Sequence, residues 1–205
     1  MKKKGKKTHA VLIAALASSM LSAVAFAQFT PFGYRMTVPL RAFTQAAPDV
    51  YIHKDFTGDS VEAIQIVDEA KKRVAEYFGE AKSAPKIILC DDAGTLSKLG
   101  GDHDTATVAI FHVYSYIALS SEYLNVDVAA HELTHAETHQ RIFAGKVGSP
   151  PLVPVWFDEG LALQNDYRAI YNDNAWEEAT GNGKNVVALR TCLVSCQKQR
   201  VCSKI

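Results

Sequence analysis

The stretch VDVAAHELTHAETHQRIF, Val126 to Phe143, constrains the fold more than any other part of the chain. It suits a single helix, with Asn125 placed to cap its start. Residues four apart on a helix are separated by about 40° around the axis and about 6 Å along it. His131 and His135 therefore share one face, where both rings can reach a common point. The segment GKVGSPPLVP (145–154) follows, and its glycines and prolines break both the helical and the strand period. A loop over 144–157 is long enough to return the next helix against the first. That second helix, in VWFDEGLALQNDYRAIY, is expected to start around Asp158 and to carry Glu159 in its first turn.

Two imidazoles and one carboxylate, with a fourth position left open for water, form the donor set of a catalytic zinc site. The expected zinc ligands are His131, His135 and Glu159. Glu132 projects about 100° from His131, so it stays out of the ligand set yet can approach a water at the open position. Zinc lowers the pKa of such a water toward ~7, and a neighbouring carboxylate can take its proton. The order His-Glu-x-x-His is therefore needed, with Glu132 as general base. His139 lies eight residues from His131, about 12 Å along a straight helix, too far to share the ion. The extended pattern, with glycine three and histidine six residues after the second histidine, fails at Thr138 and Arg141. His112 reads as a strand residue and His103 as part of a solvated loop. The competing reading is an ordinary solvated helix face, because Glu137, His139 and Gln140 also make this helix polar.

Elsewhere the pattern is that of one α+β domain over residues 50–205. Residues 60–78 form an amphipathic helix with Val61, Ile64, Val67, Ala70, Val74 and Phe78 at three- and four-residue steps, stopped by Gly79. Val50–His53, KIILC (86–90) and TVAIFHVYSYIALS (107–120) read as strands, the last a single long one. A chain of 205 residues can bury one real core. FTPFGYRMTVPLRAFTQAAPD reads as a connector, so residues 28–49 are set apart from the domain.

The amino terminus has the layout of an export signal. Lysines 2, 3, 4, 6 and 7 precede an apolar run over residues 10–27, which ends in Ala25-Phe26-Ala27. Residues 1–27 are expected to be a signal peptide or an uncleaved anchor, with residues 28–205 exported to a periplasmic or extracellular location. Without residues 1–27 the balance is 17 basic against 22 acidic residues, which argues against a nucleic-acid surface. Neither a glycine-rich phosphate loop nor an internal repeat is visible. After export, Cys90, Cys192, Cys196 and Cys202 read as structural disulfides of undetermined pairing, Cys90 tying the central sheet to the tail.

HELTH, followed after 23 residues by the glutamate of WFDEGLA, resembles the gluzincins, the small peptidase-MA-like proteins related to thermolysin and the zinc aminopeptidases. The resemblance runs from about residue 50 to 168. It implies a zincin-like α+β fold: a small mixed sheet, an active-site helix carrying His-Glu-x-x-His and a following helix supplying the third ligand. It also implies zinc as cofactor, a peptide or protein as substrate, and residues 107–120 as an edge strand beside the cleft, able to pair with extended peptide. Thermolysin has an aspartate four residues after its third ligand, orienting a histidine; here Leu163 stands there, and Asp166 or Asn165 are the candidates for that role. Tyr167 and Tyr171 are candidate oxyanion stabilisers. Two other readings remain open: a zinc-stabilised binding module without turnover, and hydrolysis of a non-peptide amide such as cell-wall material.

Overall fold

A computed structural model of the chain describes residues 4–101, 107–110, 115–143, 153–171, 174, 177–178, 181–182 and 184. The chain is a mixed α+β protein that divides into two compact units. One comprises Met1–Ile66 with Ala84–Leu124, the other Val67–Ser83 with Asn125–Ile205.

The first unit is built on three apolar runs. Val50–His53 (β2), Lys86–Leu89 (β3) and Ser115–Leu119 (β5) are nearly continuous in buried residues, as parallel strands covered on both faces are. They pair in parallel, with Val50 opposite Ile87 and Ile87 opposite Ile117. Phe43–Ala47 (β1) and Thr107–Ile110 (β4) add antiparallel at the two edges, giving the order β1-β2-β3-β5-β4. Tyr51, Ile88, Tyr116 and Ala118 share a buried cluster with Tyr34, Val38, Leu96 and Leu99. The alternate residues Val50, Ile87, Leu89, Ile117 and Leu119 are fully buried as well.

The single long strand expected over residues 107–120 is instead a hairpin. Val108 faces Ile117 across an antiparallel pair, so of the two halves of this run β5 lies inside the sheet and β4 lies at an edge. The β-prone run has no glycine or proline to mark its reversal. The faces expected for Phe111, His112, Val113 and Tyr114 lie outside the described residues, as do His103 and the cysteines at 192, 196 and 202. Cys90 is buried just after β3.

Residues expected as a connector carry regular structure. Pro31–Met36 forms α2 behind an N-cap at Thr30, whose hydroxyl accepts from the Gly33 N–H at 3.0 Å. A 3₁₀ turn (Val38–Leu40) leads into β1, and Asp49, at φ 62°, sits in the turn into β2. Ahead of them Lys4–Phe29 forms α1; among the described residues no helix is long and apolar enough to cross a membrane. Beyond β3, Asp92 caps α4 (Ala93–Lys98) by accepting the Thr95 N–H. Asp91 fastens two loops, its carboxylate taking the N–H and hydroxyl of both Thr57 and Ser121 at 2.6–2.9 Å.

Helix α3 (Ser60–Phe78) runs from the first unit into the second. Its buried stripe is Ala63, Val67, Ala70 and Val74, while Val61, expected in that stripe, is exposed. Gly79, at φ 79°, ends it. In the second unit α5 spans Val126–Phe143, the expected range, and the Asn125 side chain accepts the Val128 N–H at 2.9 Å. Glu137, only 1% exposed, takes the backbone N–H groups of Lys82 and Ser83 and the Arg141 side chain. Arg73 of α3 bonds Asp127 and the Asn165 carbonyl. Helix α6 spans Val155–Ala162 and packs on α5. It starts three residues before Asp158, because Pro154 (φ −59°) sets up the first turn. Glu159 is therefore in the second turn, not the first. A 3₁₀ turn (Leu163–Asn165) follows, and the chain becomes extended at Asp166.

Candidate metal centre

Every residue of this site belongs to the second unit. Helix α6 packs on α5. This packing brings Glu159 to the histidine face of α5. The Nε2 atoms of His131 and His135 are 3.2 Å apart. Glu159 Oε2 is 3.4 Å from the first and 3.8 Å from the second. The point equidistant from these three atoms lies about 2.0 Å from each, the length of a zinc–nitrogen or zinc–oxygen bond. Two donors at 2.0–2.1 Å on tetrahedral corners stand roughly 3.3–3.4 Å apart. The 3.2 and 3.4 Å separations match that spacing and the 3.8 Å one is wider, so the group can hold a small cation once Glu159 closes slightly on His135.

Each outer ring nitrogen faces a carboxylate. His131 Nδ1 faces Asp166 Oδ2 at 3.3 Å, and His135 Nδ1 faces Asp158 Oδ1 at 3.1 Å. Both contacts are close but off the straight N–H···O line. A carboxylate at Nδ1 favours the tautomer with its proton there, which leaves the Nε2 lone pair for a cation. Three acceptors then converge, and they need positive charge among them. Asp158 also takes His139 Nε2 on its other oxygen at 3.0 Å. Burial pushes the Asp158 carboxyl up, but the bonds from His135 and His139 hold it well below the usual carboxylate range. Arg168 grips Asp166 through Nε, Nη2 and its backbone N–H.

Glu132 is half-buried on the same helix, and its carboxylate has no hydrogen-bond partner among the described residues. Burial holds that carboxyl above its ordinary value, against the pull of His135 and His131. An unengaged carboxylate in this position is suited to accept a proton.

The three histidines and Glu137 of α5 do not form a solvated face. Side chains of His131, His135, Glu137 and His139 are 12%, 7%, 2% and 18% exposed, and each has a partner from another turn or element. Of the two candidates for orienting a histidine, Asp166 faces His131, while the Asn165 side chain bonds Thr134 at 2.9 Å. Tyr167 and Tyr171 are exposed, with Arg73 over one ring and Arg168 over the other. Neither hydroxyl makes a hydrogen bond among the described residues. The roles of Asp158 and His139 escaped the sequence reading; the position of Asp158, beside the third candidate ligand, was the available signal.

Compared with protein-family models, curated proteins and solved structures, the chain matches none. The centre therefore rests on its own geometry. His131, His135 and Glu159 are also the group of described side chains that brings three metal-binding atoms together.

Proposed function

We propose that the chain is an exported zinc-dependent peptidase with a zincin-like fold, its metal held by His131, His135 and Glu159. The observation that carries this reading is the convergence of three acceptor atoms at zinc-ligand spacing, with an unengaged carboxylate on the same helix. When bound, zinc supplies Lewis acidity toward a carbonyl oxygen and makes water easier to deprotonate.

The remaining chemistry belongs to the chain. Glu132 takes a proton from the attacking water as its oxygen adds to the scissile carbonyl carbon. It then delivers that proton to the leaving nitrogen as the C–N bond breaks, and the second proton of the water follows to the amine, releasing a carboxylate and an ammonium group. Asp166 and Asp158 hold the two imidazoles in the tautomer that presents Nε2. The apolar run of residues 10–27 is the export signal or anchor in this proposal, and a peptide or protein is the substrate.

A zinc-stabilised binding module is the second reading. The exposure of Tyr167 and Tyr171, which leaves no evident hydroxyl for the oxyanion among the described residues, favours it. The Glu132→Gln variant separates the two. A peptidase loses turnover and keeps its metal in this variant. A binding module shows no turnover to lose, with peptides or with non-peptide amides.

A further inference from the structure

We infer that His139, which is too far along α5 to join the ligand set, is a positioning residue for the metal centre and acts through Asp158 on His135. The inference rests on the proposed metal site and goes one layer beyond it.

Asp158 of α6 stands between two imidazoles of α5 that are one helical turn apart. Its Oδ1 is 3.1 Å from His135 Nδ1 and its Oδ2 is 3.0 Å from His139 Nε2. A carboxylate held on one oxygen can still swing about its Cβ–Cγ bond. The bond from His139 to the outer oxygen restricts that swing, and the inner oxygen then stays against the His135 ring. The His131 side has the same construction from different residues: Asp166 faces the ring at 3.3 Å, and Arg168 grips Asp166 from behind. Each ligand histidine thus has a carboxylate, and each carboxylate has an outer anchor. His139 is the anchor on the His135 side. Its side chain is largely buried at 18% exposure, as an anchor's would be and as that of a solvated helix residue would not.

Outer partners of this kind change metal affinity by roughly 10–100-fold. The test compares zinc affinity, by competition with a chromophoric chelator, in the native full chain and in Glu159→Ala, His139→Asn, His139→Phe and His139→Gln. A glutamine amide reaches about as far as histidine Nε2 and keeps a donor for Asp158; asparagine is too short and phenylalanine has none. The expected result is zinc binding weakened at least tenfold in the Asn and Phe variants and restored to within about threefold of native in the Gln variant. The visible absorption of the cobalt(II)-loaded chain should move in the same order, because it reports the ligand field at His135.

Native zinc affinity in all three His139 variants, with an unchanged cobalt spectrum, would overturn the inference while leaving the metal site standing. So would a Gln variant as weak as the Asn variant. Failure of the native chain to take up zinc, or Glu159→Ala binding it as tightly as native, would instead overturn the site itself and this inference with it.

Discussion

His131 and His135 stand with their Nε2 atoms 3.2 Å apart while their Nδ1 atoms face two different carboxylates, Asp166 and Asp158. One turn of helix brings the rings together, and the outer carboxylates decide which nitrogen is turned inward. The inner faces are then both acceptors, and Glu159 adds a third at 3.4 Å. A proton can bridge two such atoms. A metal ion serves all three.

Glu132→Gln should retain the metal and lose turnover. The amide preserves the size of the side chain but cannot take a proton from water, and general-base catalysis is worth roughly 10²–10⁴-fold. Metal content by mass spectrometry, beside a peptide-hydrolysis assay, reads both quantities. Unchanged hydrolysis would remove Glu132 from the mechanism.

Asp166→Asn should weaken zinc binding about tenfold and Asp166→Ala toward a hundredfold, because His131 loses the carboxylate that fixes its tautomer. Chelator competition measures the effect. Equal affinity in both variants and the native chain would show that the 3.3 Å approach of Asp166 does not orient the ring.

Glu137→Ala should cost about 3 kcal/mol of stability, since it strips the partners from the Lys82 and Ser83 N–H groups and from Arg141. Urea unfolding at neutral pH reads this as a lower midpoint with the slope unchanged. A shift below about 0.5 kcal/mol would mean that water replaces the carboxylate without loss.

Acid should loosen the clamp at Asp91. Burial raises its carboxyl, but the bonds from Ser121 and Thr57 outweigh that and hold it below the ordinary value. A carboxylate with a depressed folded pKa stabilises fully above its unfolded pKa of about 3.9, and the benefit fades as pH falls through the folded value. Asp91→Asn should therefore be less stable than native by about 2 kcal/mol at pH 6. The gap should narrow below about pH 4. Parallel stability curves from pH 6 to pH 2.5 would contradict this.

The sequence was most informative where local signals agree. Asn125 and the apolar positions that follow it mark α5 to the residue, and the motif on that helix identifies three of the four proposed working side chains. The length of the loop between α5 and α6 then makes Glu159 reachable. What escaped depends on contacts that spacing does not encode. Asp166 and Asn165 are both candidates in the sequence, and the choice falls on Asp166 because the helical run gives way after Asn165. His139 reads as a surface residue until its partner, 19 positions away, is seen. Val61 sits near the start of α3, where its face has no cover, and the reversal within 107–120 lacks any turn residue to announce it.

The most direct test of the centre is the zinc content of the purified chain after dialysis, compared with Glu159→Ala. The account predicts about one zinc per native chain and little or none in the variant. A native chain that holds no zinc even after reconstitution would reduce His131, His135 and Glu159 to a cluster of polar side chains, and the peptidase reading would fall with it.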